Sequence, residues 1–86
     1  MVSRMVTITN RLGLHARPGG IFSKECKKQE CNVEIVKGDK RVDAKSILSL
    51  LTLQAKCGSE IELICDGAGE EASSAHLVEF LKTLPD

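Results

Sequence analysis

Lys37-Gly38-Asp39-Lys40 leaves room for only a two-residue reversal between two strand-like runs. A central Gly-Asp pair suits a primed hairpin turn, and strands joined that tightly run antiparallel. An all-parallel sheet is therefore excluded, and every other element must fit around this hairpin. Before it, residues 32–36 alternate with Val33 and Ile35 on one face; after it, 40–43 form a short strand with Val42 pointing inward. Alternation also marks 5–9, where Val6 and Ile8 share a face. The clearest strand is 60–65, with Ile61, Leu63 and Cys65 toward the core and Glu60 and Glu62 outward. Helical spacing covers 16–28, and Ser46 is a good N-cap for a short helix starting at Ile47. A last helix over 70–84 has Glu70 and Glu71 at the positive end of its dipole and a buried stripe of Leu77, Phe80, Leu81 and Leu84. The order β-α-β-β-α-β-α predicts an α+β fold in which helices cover one face of an antiparallel or mixed sheet.

The stretch Asn10 to Gly20 sets a histidine between the first strand and the first helix. Asn10 and Gly13 are turn residues, and Pro18 fits a first helical turn, where its missing N–H would have no partner. His15 thus falls near the N-cap, facing free N–H groups that attract anions. Arg17 adds a fork of donors matched to phosphate oxygens. Imidazole is largely neutral at pH 7 and forms covalent intermediates, so the group suits phosphoryl uptake. A lone loop histidine also serves as a surface or capping residue, and no His, Ser or Cys nearby in sequence completes a relay. The residues alone leave both readings open. Gly19 and Gly20 each cost about 1 kcal/mol relative to alanine inside a helix, which implies a close backbone approach there. Of the apolar run 47–53, Leu50 and Leu53 are expected in the core, leaving Ile47, Leu48 and Leu51 partly exposed as a contact surface.

Charge sharpens the picture. Residues 1–45 carry ten Lys/Arg against five Asp/Glu, and 46–86 carry two against seven, so a chain of zero net charge is basic on its N-terminal half. A basic face around His15 and Arg17 would steer toward acidic partners. No dense basic run or aromatic platform suggests nucleic acid. Cys26, Cys31, Cys57 and Cys65 form no C-x-x-C pair and no zinc spacing, so no metal is expected. No signal-peptide pattern or long apolar run is present, so a cytoplasmic chain with reduced thiols and no membrane insertion is expected. Most of the cysteines are then small core fillers, and His76, off the apolar stripe, is a surface residue. With only Phe22 and Phe80 as aromatics the core is aliphatic, and residues 1–86 are expected to form one domain.

Two blocks carry a family resemblance: Leu12-Gly13-Leu14-His15-Ala16-Arg17-Pro18, and Asp43-Ala44-Lys45-Ser46-Ile47-Leu48-Ser49-Leu50-Leu51-Thr52-Leu53. Each is similar to a signature of the histidine-containing phosphocarrier (HPr) family of the bacterial phosphoenolpyruvate-dependent phosphotransferase system, at the family's spacing. The resemblance implies an open-faced β-sandwich, four antiparallel strands covered on one face by three helices. It implies a phosphoryl carrier, not an autonomous enzyme: phospho-enzyme I phosphorylates His15 at Nδ1, with Arg17 stabilising the group, and His15 passes it to IIA components for sugar uptake. It further implies no cofactor, a monomer, and docking through Ile47, Leu48, Leu51, Lys24 and Lys27. Ser46 matches the serine that a dedicated ATP-dependent HPr kinase/phosphorylase marks in some relatives. A nitrogen- or regulation-branch carrier, or a non-phosphorylated interaction domain, are the alternatives. The chain departs from the family at Gly19 and Gly20, commonly alanine or another small residue, and at Gln54, often glycine.

Overall fold

A computed structural model of the chain describes residues 1–84, so the last two residues of the expected 1–86 span lie outside it. Its elements are β1 (Val2–Thr7), α1 (Ala16–Lys27), β2 (Asn32–Lys37), β3 (Lys40–Asp43), α2 (Ile47–Leu51), β4 (Glu60–Asp66) and α3 (Glu70–Lys82). The hairpin forms as the sequence predicts. Lys37 pairs with Lys40, and Gly38 takes a φ of +59° that a side chain would resist. One four-stranded sheet results, in the order β1-β4-β2-β3, with every neighbouring pair antiparallel. Parity then separates the faces. Val33, Ile35, Ile61, Leu63 and Cys65 point to the helix side and are buried. Glu34, Glu62 and Asp66 alternate with them on the other face.

Phe22 on α1, Leu50 on α2 and Leu77 on α3 close over that apolar face, each fully shielded from solvent. The three helices therefore share one core with the sheet, an open-faced sandwich. Val42 packs partly buried against this core.

Three details differ from the sequence reading. The first strand lies at 2–7 rather than 5–9, because Arg4 is tied beneath α3: its Nε donates to Ser74 Oγ at 2.8 Å and its guanidinium pairs with Glu71. Ile8 stays buried beyond the strand, donating its N–H to the Ser59 carbonyl and accepting one from Gly58. Phe80 is only partly buried; its ring lies between Phe22 and His76, at 6.4 and 6.0 Å. Helix α3 ends at Lys82, two residues before Leu84, which is itself buried.

Candidate functional site

His15 is the N-cap of α1, with φ −79° and ψ −175°. Its imidazole makes no capping hydrogen bond and stands exposed, while its carbonyl accepts the Gly19 N–H at 2.6 Å. The N–H groups of Ala16 and Arg17 open the helix ahead of that first bond, and Pro18, buried, offers none. The ring is thus free, and the helix presents unspent donors beside it.

The loop before His15 is clamped from both sides. Within it, Asn10 Nδ2 donates to the Gly13 carbonyl at 2.8 Å, and Gly13 N–H returns a bond to the Asn10 carbonyl. Across it, Leu14 N–H donates to the Ala55 carbonyl at 2.8 Å. This second clamp brings residues 54–56 to the histidine. Together they line an open depression of about 500 Å³, walled by the apolar Leu14, Ala16, Leu51 and Ala55 and the polar His15, Gln54 and Lys56. Neither Gln54 nor Lys56 was foreseen. The nearest signals were Gly13 and Gly58, both at positive φ where the two loops meet.

The other site candidates fall into two groups. Arg17, Lys24 and Lys27 are exposed along α1 and lie outside the depression. Ser46 caps α2, its Oγ accepting the Ser49 N–H at 3.4 Å. On α2, Leu48 is 76% exposed, Ile47 and Leu51 are half-buried, and Leu50 faces the core. The glycines of α1 explain how α2 comes so near. A Cβ on Gly20 would lie 3.2 Å from Ile47 Cδ1, and one on Gly19 would lie 3.4 Å from Leu51 Cδ2. The close approach implied by those glycines is therefore real, and α1 is helical from Ala16 despite them.

The thiols are not competitors for the chemistry of His15. All four are free. Burial pushes the Cys26 thiol far up and the Cys65 thiol to about 12, so neither offers a thiolate near neutrality. Cys31 is buried too, whereas Cys57 is exposed, its Sγ near the Thr9 carbonyl. His76 is bound to Glu25 Oε2, and that bond, with Lys28 beside it, holds the Glu25 carboxyl below the usual carboxylate range. No helix among the described residues is long and apolar enough to cross a membrane.

A family model described as "PTS HPr component phosphorylation site" matches residues 2–83. The phosphocarrier protein HPr of Treponema pallidum is 37% identical over 73 residues, covering 85% of this chain and 83% of that one. A solved HPr structure from Thermoanaerobacter tengcongensis superposes with a TM-score of 0.92 at 31% identity, covering 96% of this chain and 93% of that one. The Bacillus subtilis catabolite repression protein Crh, described as a swapped-domain dimer, gives a TM-score of 0.76 at 33% identity over 95% of this chain and 94% of its own.

Proposed function

The chain belongs to the HPr family of the phosphotransferase system, and we propose that it takes a phosphoryl group onto His15 from phospho-enzyme I and delivers it to IIA components serving sugar uptake. The observation that carries this reading is the exposed His15 ring at the head of α1, committed to no capping bond. In the transfer, the Nδ1 lone pair attacks phosphorus, the phosphorus–nitrogen bond to the donor imidazole breaks, and that imidazole leaves with the electron pair. Such transfers depend on positioning and on stabilising charge at the phosphoryl oxygens. Arg17 and the N–H groups of Ala16 and Arg17 supply that charge. An exposed site suits a carrier, because holding the phosphoryl group too firmly would lower its tendency to move on. His15 is thus transiently phosphorylated and the chain turns over nothing by itself.

Leu48, with Ile47 and Leu51 beside it, and Lys24 and Lys27 on α1, form the surface that docks enzyme I and IIA components. Ser46, at the N-cap of α2, is the position for a regulatory phosphate of about −1.5 to −2 charge, which would repel acidic partners at that surface. The protein is read as a cytoplasmic monomer, one domain over its length. Similarity to the catabolite repression protein Crh favours a second reading, in which the chain serves regulation instead of sugar uptake.

Incubation with phosphoenolpyruvate and enzyme I tests the proposal by intact mass. The expected result is one added phosphate, acid-labile and alkali-stable, absent from His15→Ala and acquired more slowly by Arg17→Ala. No gain with a competent enzyme I would overturn it.

A further inference from the structure

Among the described residues, most cations are already engaged. Arg4, Lys28, Arg41 and Lys82 pair with Glu71, Glu25, Glu34 and Glu79. Lys37, Lys40 and Lys45 donate to the carbonyl oxygens of Leu53, Thr52 and Gln29. Arg11 is engaged as well. Among the described residues, the basic side chains left without a partner are Arg17, Lys24, Lys27 and Lys56. Three of these belong to α1. Lys56 alone lies far from His15 in sequence and yet lines the same depression.

Its backbone is held there by several independent contacts. The Lys56 N–H donates to Ser59 Oγ at 3.0 Å, and the preceding carbonyl, of Ala55, accepts the Leu14 N–H. Gly13 approaches so closely that a Cβ on it would stand 2.8 Å from Lys56 Cα. Lys56 is thus a fixed backbone carrying an uncommitted ammonium. Among the described residues, no carboxylate lines the depression to neutralise it. A compact point charge on a flexible stem suits phosphoryl oxygens whose position shifts during transfer.

We propose that Lys56 is a phosphoryl-binding residue, its ammonium meeting the oxygens of the phosphoryl group carried by His15. The inference rests on His15 being the acceptor, and the test separates the two. Phosphoramidate serves as donor: its phosphorus–nitrogen bond breaks, ammonia leaves, and a phosphorus–nitrogen bond forms on His15, with no partner protein present. The phosphoryl group is then titrated by phosphorus NMR in the parent protein, Lys56→Gln and Lys56→Arg.

Removing a nearby ammonium disfavours the dianion, so the second ionisation in Lys56→Gln should move up by about half a pH unit. Lys56→Arg should restore the parent value, and the difference should shrink with added salt. Superimposable titrations of the parent and Lys56→Gln would overturn the inference, even if Lys56→Gln slowed transfer from enzyme I, since Lys56 would then act on the partner alone. No phosphohistidine in the parent protein, with phosphoramidate or with enzyme I, would overturn the reading of His15 and this inference with it.

Discussion

Gly13 lies against the Ala55 carbonyl so closely that a Cβ on Gly13 would stand 2.3 Å from that oxygen. The φ of Gly13 is +64°, which also disfavours a side chain, and the neighbours are backbone atoms that cannot swing aside. Gly13→Ala should therefore destabilise the protein by at least about 2 kcal/mol, combining left-handed strain with displacement of the two loops. Chemical denaturation measures this, and a loss below about 0.5 kcal/mol would show that the loops can separate freely.

The paired glycines of α1 should respond differently to alanine. At Gly20 the obstacle is the terminal methyl of Ile47, which can turn away, so Gly20→Ala should gain most of the helix-propensity difference, about 0.5–1 kcal/mol. At Gly19 the obstacle is the Leu14 carbonyl, 3.2 Å from the new Cβ, and Gly19→Ala should gain nothing or lose stability. Equal stabilisation by the two, in thermal unfolding, would contradict this account.

Thiol labelling offers a direct check on burial. Cys57 is exposed while Cys26, Cys31 and Cys65 are buried, two of them with thiols shifted strongly upward by desolvation. A disulfide reagent near neutral pH should modify one thiol quickly in the folded protein and four after denaturation. Cys57→Ser should abolish the fast phase.

Acid should weaken the contact between α1 and α3. The His76 bond, and then Lys28, hold Glu25 below its ordinary value of 4.5, so the folded state binds its proton less readily than the unfolded chain. Because the folded value is the lower one, this stabilisation is complete above the ordinary value and is lost as pH falls through the folded value. Glu25→Gln should flatten the fall in stability below about pH 5. Parallel curves for the two proteins would deny Glu25 that role.

Much of this was legible along the chain because local signals and core demands agreed. The two-residue hairpin, the Ser46 cap and the alternation of Ile61, Leu63 and Cys65 each need only neighbouring residues to be read. What escaped depends on contacts distant in sequence. The early start of β1 is set by Arg4 meeting Ser74, and the buried Ser73 is explained by its bond to Gln29 Oε1. Lys56 and Gln54 reach His15 through the Leu14–Ala55 hydrogen bond between the two loops. Gln54 is a special case: it holds a φ of +54°, the left-handed conformation that glycine takes without strain. Ile64 is buried on the sheet face away from the helices, opposite Ser3 and Glu34, where alternation gives no hint of it.

The sheet order has a kinetic consequence. The β2–β3 hairpin closes locally, whereas β1 pairs only with β4, residue for residue more than fifty positions away. Contacts of that span carry the loop-closure cost that slows folding. The segment bearing His15 lies between β1 and α1, and its bonds from Ile8 and Leu14 to residues 55–59 are themselves long-range. Refolding chains should therefore regain β2–β4 amide protection before they regain phosphoryl uptake. Simultaneous recovery would mean that the two ends of the chain meet at the start of folding.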